Sequence, residues 1–235
     1  MKAKWVLFTL MATTNIFAAP TAGQILKEAE KYRALDEAYT VSVKVTNRTG
    51  AVVQDETEFK VYIKDNNTSL VEQTSPASGR GRKLLMIGND LWLRTNDIKK
   101  AIRISLDQKL TGETANGDLS KTNFYADYEP KIVEEAKTFY KLHLKSKHDS
   151  TTYQQINYFI HKKGHIPFKA EFMAMSGKIL KTMEYAKPDK KIKNQTLISK
   201  VRITDAIVKE RSSVLVYSQF KPQNIDDSIF NRASM

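Results

Sequence analysis

Tyr39-Thr40-Val41-Ser42-Val43-Lys44-Val45-Thr46 places an apolar side chain at every second residue and a polar one between. A period of two puts Tyr39, Val41, Val43 and Val45 on one face of an extended chain and turns Thr40, Ser42, Lys44 and Thr46 to water, which predicts a strand with one buried face. Working upstream, Ile25, Leu26, Ala29, Tyr32 and Leu35 recur at spacings of three and four among lysines and glutamates, so residues 21–35 are expected to form one amphipathic helix. Downstream, a turn at 47–50 leads to a second long strand in which Phe59, Val61 and Ile63 share a face. Asp65-Asn66-Asn67 then turns the chain into a strand at 69–73, and Gly88-Asn89-Asp90 joins 83–87 to Leu91-Trp92-Leu93. Consecutive strands joined by turns this short make an antiparallel meander, not a βαβ unit.

The second half keeps the habit. Strands are expected at 138–145, 153–161, 167–175, 179–185, 197–205 and 213–219, with Gly164 and Gly177 at turns. The total is about ten or eleven strands and one long helix, and a twisted sheet of that width coils into a partial or full barrel. Residues 105–123, broken by Gly112, Asn116 and Gly117, show no period and read as a long loop, which in a compact domain is more often a lid than a connector. No linker interrupts 130–235, so residues 19–235 are expected to be one domain.

The first residues carry Lys2 and Lys4, an apolar run from Trp5 to Met11, and small residues at Ala18 and Ala19. That order is a secretory leader, and the run is too short to span a bilayer. Cleavage after Ala18 is expected, because a cut after Ala19 leaves Pro20 immediately beyond it; the product is a soluble periplasmic protein. The chain has no cysteine, hence no disulfide, thiolate nucleophile or acylated cysteine of its own. Its formal net charge is +12, two units of it in Lys2 and Lys4. A basic surface attracts polyanions; export removes nucleic acid as a partner and leaves an anionic membrane surface, met transiently, while simple solubility accounts for the surplus equally well.

Nothing in the sequence reads as a catalytic centre. G-x-S-x-G, P-loop, G-x-G-x-x-G and H-E-x-x-H patterns are missing, and His161 and His165 bracket a Lys-Lys-Gly turn instead of a helical face. No enzyme activity, metal or cofactor is therefore expected. Gly79-Arg80-Gly81-Arg82 is a solvated loop before it is a phosphate cradle. Phe168, Phe172, Met173, Met175 and Met183 lie on adjoining strands; adaptable thioethers suit a cavity for variable acyl chains, although residue type alone favours plain core filling.

Gly88-Asn89-Asp90-Leu91-Trp92-Leu93, followed by Asp97-Ile98-Lys99-Lys100-Ala101-Ile102-Arg103-Ile104-Ser105, resembles the outer-membrane lipoprotein-sorting (LolA-like) family, in which a G-x-x-x-W-L-Y-x-P strand leads to K-K-x-x-R-I-S. Asn123-Phe124-Tyr125-Ala126-Asp127-Tyr128 is similar to that family's S-D-F-T-Y-E-D-L element. Arg94-Thr95-Asn96 replaces Tyr-x-Pro, and Thr122-Asn123 stands where Ser-Asp is common. The resemblance implies an incomplete, half-open antiparallel β-barrel, mainly β with few helices, whose apolar concavity is covered by a helical lid. It implies a carrier of lipid or acylated lipoprotein between membranes, with an inner-membrane transporter of the resistance-nodulation-division type as a partner, or alternatively a periplasmic sensor of envelope stress on the same fold. Val41, Val43, Phe59, Val61, Leu91, Leu93, Phe172 and Met173 are the expected ligand contacts, and Arg103 is the expected lid or head-group contact.

Overall fold

The computed structural model describes residues 19–98, 100–120, 124–233 and 235; the leader expected at 1–18 lies outside the described residues, as does Thr122-Asn123. Helix α1 (Ala22–Glu30) opens the fold behind a capping box in which Thr21 and Gln24 satisfy each other's backbone amides. It is one turn shorter than its period suggests, since residues 31–34 leave the helix in turns. Six strands follow as a meander: β1 (Tyr39–Thr49), β2 (Val52–Asp65), β3 (Thr68–Ser75), β4 (Lys83–Ile87), β5 (Asp90–Arg94) and β6 (Ile102–Ile104). Within the expected loop 105–123, the described residues 105–120 hold a small hairpin, β7 (Lys109–Thr111) and β8 (Thr114–Ala115), running into the short helix α2 (Asn116–Ser120). After α3 (Phe124–Asp127) comes a second meander of β9 (Tyr128–Glu135), β10 (Phe139–Ser146), β11 (Gln155–His161), β12 (Pro167–Met173) and β13 (Ile179–Tyr185). A hairpin of β14 (Lys190–Ile192) and β15 (Gln195–Leu197) then leads to β16 (Lys200–Asp205) and β17 (Arg211–Pro222).

Thirteen strands form one antiparallel sheet in the order β6-β5-β4-β3-β2-β1-β17-β16-β13-β12-β11-β10-β9. The first and the last strand therefore lie side by side at the centre, with Val43 opposite Tyr217 and Val45 opposite Leu215. The two edges, β6 and β9, do not pair with each other, so the sheet is a mainly antiparallel, half-open barrel. The strand count exceeds the expected ten or eleven. β6, β7, β8, β14 and β15 are too short to show a period, and β9 is an exposed edge strand whose Pro130 and charges, sound protection against edge pairing, conceal it.

Each sheet face has its own core. Val41, Val43, Phe59, Val61, Val71, Leu84, Met86 and Leu91 gather on the concave side with Ile156, Tyr158 and Phe172 from the other meander. On the reverse side of β2 to β5, Leu70 and Leu85 are capped by Ile225 and Phe230 of the C-terminal segment, and Arg232 stacks over Trp92 at 4.3 Å. The roof over the concave core is made of α1, α2 and α3. Ile25, Leu26 and Ala29 are fully buried from above, while Leu106, Leu110 and Leu119 come from the 105–120 segment.

The central seam holds both meanders, so its core side must be intolerant. Leu215→Ala is expected to cost ~2–5 kcal/mol in urea unfolding, whereas Val216→Ala, whose side chain points to solvent on the same strand, should stay within about 0.5 kcal/mol of the parent protein.

Candidate functional site

Under the roof lies a cavity of about 60 Å³. Its floor is built by alternation: Tyr39, Val41 and Val43 from β1, Val61 and Ile63 from β2, Met183 and Tyr185 from β13, Phe172 from β12 and Tyr217 from β17 all fall on the inward phase of their strands. Its ceiling is Arg33, Gly117, Asp118, Leu119, Phe124 and Asp127, with Thr151 to Tyr153 closing one end. At Gly117 a side chain has no room: a Cβ would stand 1.8 Å from Thr152 Oγ1, so glycine is what lets α2 approach the β10–β11 loop.

Two buried ion pairs fix the ceiling. Glu30, 4% exposed, receives the Arg33 guanidinium at 3.0 Å, the Phe124 N–H at 2.7 Å and the Tyr158 hydroxyl at 3.4 Å, and Arg33 sits 3.9 Å over the Phe124 ring. One carboxylate thereby ties α1 to α3 and to β11. Burial holds its carboxyl above the ordinary value against the opposing pull of Arg33. On the far side, Lys181 of β13 donates to Asp118 Oδ2 at 2.9 Å and to the Glu113 carbonyl at 2.9 Å, while Asp118 Oδ1 accepts from the Tyr153 hydroxyl at 2.7 Å. The α2 segment is anchored further by Ser69 Oγ donating to the Ser120 carbonyl and by Ser213 Oγ accepting from the Glu113 N–H, both at 2.8 Å. Even so, among the described residues Thr114 Oγ1, Asn116 Oδ1 and Ser120 Oγ are buried without a partner.

Of the residues singled out from the sequence, Val41, Val43, Val61 and Phe172 line the cavity. Phe59, Leu91 and Leu93 belong to the same concave core but lie beyond the cavity wall. Met173 requires a correction. It follows Phe172 directly on β12, so the pleat turns it to the opposite face, where Asn157 donates to its sulfur at 3.7 Å. The same alternation divides the expected Met and Phe cluster: Met183 faces in, Phe168 packs with Phe139 and Phe159 outside, and Met175 is 79% exposed in the β12–β13 turn. Arg103 is an exposed residue of β6, ion-paired with Asp90 beside it on the sheet edge. The amides of the 79–82 loop are spent internally, on Pro76, Ala77, Gln73 and Gly79, which leaves no cradle for a phosphate. His161 stacks on Phe168 and His165 leans on Tyr140. Tyr153, Tyr185 and Tyr217 line the cavity without having been singled out from the sequence; Tyr185 keeps the inward phase of Met183, and that phase was the available signal.

A family model described only as an uncharacterized protein matches residues 65–235. A LolA superfamily protein from Nitrosomonas europaea is 34% identical over 92% of this chain and all of its own, with a TM-score of 0.86. The chain belongs to the LolA superfamily. Two further solved structures share the fold at TM-scores of 0.76. One, from Vibrio parahaemolyticus and described as an outer-membrane lipoprotein-sorting protein domain, is 17% identical over 90% of this chain and 97% of its own. The other, a DUF1329 family protein from Desulfovibrio piger, is 16% identical over 91% and 97%. No curated protein matches. Within the LolA superfamily architecture, the cavity described here occupies the concavity between sheet and helices.

Burial raises the phenols of Tyr39 and Tyr153 well above the ordinary tyrosine value and pushes Tyr185 up to about 12. A folded-state value raised above the unfolded one gives stability that is complete below about pH 10 and is lost as pH climbs through the folded value. Phenolate absorbance from these side chains should therefore appear only above about pH 12, together with the loss of near-ultraviolet circular dichroism. Ionisation near pH 10 with the fold intact would show that the cavity is open to water.

Proposed function

We propose that the protein is a periplasmic carrier that holds the acyl chains of a lipid or lipoprotein in the concavity and moves them between membranes without covalent chemistry. The observation that carries this reading is the layering: an apolar floor built by the sheet and a separate roof of short helices with a cavity between. The cavity is too small as it stands. At about 60 Å³ it has room for a few waters, not for an acyl chain. The structure is thus read as the closed form, and loading requires the roof to lift.

Magnitudes favour such an exchange. Lifting the 105–120 segment together with α3 exposes Leu106, Leu110, Leu119 and Phe124, at ~1.5–3 kcal/mol each. An acyl chain contributes ~0.8 kcal/mol per buried methylene, on the order of 10 kcal/mol for a long chain. The two quantities are comparable, so ligand and roof can replace one another with a small net change, which is what reversible loading and release demand. Release of the three unpartnered polar atoms of the 114–120 segment to water, each worth ~1–3 kcal/mol, moves the balance further toward opening. In this reading the donor is an inner-membrane transporter of the resistance-nodulation-division type, and no residue acts as a catalyst.

Native mass spectrometry of protein purified from the periplasm, with extraction and lipid analysis, tests the proposal. Wild-type protein should carry phospholipid or acylated peptide, and Val43→Phe, which fills the cavity, should reduce it at least tenfold while unfolding stays cooperative. A wild-type protein that carries none, and that after delipidation takes up no fluorescent fatty acid, defeats the carrier reading.

A further inference from the structure

Three hairpin tips stand together at one end of the sheet: residues 50–53 between β1 and β2, 174–180 between β12 and β13, and 206–210 between β16 and β17. They are in direct contact with one another through the ladder. The Gly50 N–H donates to the Glu210 carbonyl at 2.8 Å and the Ala206 N–H to the Leu180 carbonyl at 3.1 Å. Of the twelve large apolar side chains exposed among the described residues, seven lie on these tips. Met175 is 79% exposed, Ile207 71% and Val52 63%, with Val53, Leu180 and Val208 beside them. Single exposed apolar residues are ordinary, but a run of them on one rim is not.

The tips are also basic. Arg48, Lys178, Lys209 and Arg211 stand against Asp205 and Glu210. Arg211 is committed to Asp205 and Glu113, both at 3.1 Å, while Lys178 and Lys209 are exposed and make no ion pair among the described residues. Asp205 does not face outward as a free charge. Its carboxylate accepts the Ile207 N–H at 2.8 Å and the Val208 N–H at 2.7 Å, and these bonds hold it below the usual carboxylate range. They lock the β16–β17 tip so that Ile207 projects instead of folding back onto the sheet.

We propose that this rim is a docking surface for an anionic phospholipid bilayer, with the apolar tips entering the head-group layer and Lys178 and Lys209 meeting lipid phosphates. The proposal rests on the carrier reading and deepens it by naming the surface across which cargo passes. Convex tips on separate hairpins fit a fluid interface, which closes around them, better than they fit a preformed groove. Charge complementarity selects an anionic surface, whose negative potential attracts each lysine brought near it. Placement is consistent: Lys181, one residue inward from Leu180, is the side chain that grips Asp118 of α2, so the roof is fastened immediately behind the rim.

The test is co-sedimentation of the mature protein with vesicles of equimolar phosphatidylglycerol and phosphatidylcholine, compared with phosphatidylcholine alone. Partition should be at least tenfold greater onto the anionic vesicles. Met175→Ser with Ile207→Ser, and separately Lys178→Glu with Lys209→Glu, should each lower it at least tenfold, with thermal unfolding and uptake of a fluorescent fatty acid from solution unchanged. Wild-type protein that ignores anionic vesicles, or variants that bind them as wild type does, overturns the rim proposal and, where fatty-acid uptake is normal, leaves the carrier reading standing. Partition that follows this pattern in a protein that takes up no fatty acid supports the rim and defeats the carrier.

Discussion

The antiparallel pairing of β1 with β17 is the constraint on which the rest of the molecule depends. It places the N-terminal and C-terminal meanders in one sheet, and it does so at the centre, so that each meander grows outward to its own unpaired edge. Because β6 and β9 never meet, the concave face has an open side, and the chain must cross that side to pass from the first meander to the second. The crossing segment is the one that carries α2 and α3. The roof is therefore a topological consequence: a polypeptide that builds two halves of a sheet from its middle outward has to bridge their edges, and the bridge comes to lie over the core it spans.

A bridge held only by apolar contacts would sink into the sheet and leave no space. Here its height is set by polar side chains that act as struts. Glu30 and Arg33 prop α1 against α3, and Asp118 with Lys181 props α2 against β13. Buried ion pairs contribute little net stability, because desolvation offsets most of their attraction, but they fix geometry. The tyrosines do similar work on the floor, offering wide apolar surfaces with hydroxyl ends that occupy the polar fringe. The cost of this arrangement is visible in the atoms at Thr114, Asn116 and Ser120 that have no partner among the described residues.

The period of two in β1, β2, β10, β11 and β13 is strong because each strand is half buried, so the sheet and the inward phase of Val41, Val43 and Val61 were legible from the residues. What failed to show did so for identifiable reasons. β9 is an edge strand whose protection against aggregation erases its alternation. The 105–120 segment draws its structure from contacts with β1, β3, β13 and β17, reached through Asn47, Ser69, Lys181 and Ser213, and no local pattern encodes partners tens of residues away. Met173 was misplaced because a cluster of thioethers and rings along 168–183 was read as one surface, whereas the pleat divides consecutive residues between two faces. The C-terminal cap over Leu70 and Leu85 does not show in the sequence because Ile225 and the pair Ile229-Phe230 are spaced through a polar tail with no period.

These features bear on one another. If the roof is a bridge on polar struts, then whatever weakens the struts opens the cavity, and the weakest environment for a buried ion pair is one next to other charges. Lys181 stands at the sheet end where Lys178, Lys209 and Arg211 crowd, and Arg211 already shares Glu113 with the same α2 approach. An anionic surface brought against that end competes for the cations that stabilise the segment and relieves their mutual repulsion in a new geometry. The cations that fasten the roof, Lys181 and Arg211, thus stand beside the cations offered to the membrane, Lys178 and Lys209, without being the same side chains. On the proposed carrier reading, the roof would loosen at an anionic surface and not in water, because only there does an outside anion reach the sheet end where Lys181 and Arg211 hold the α2 segment.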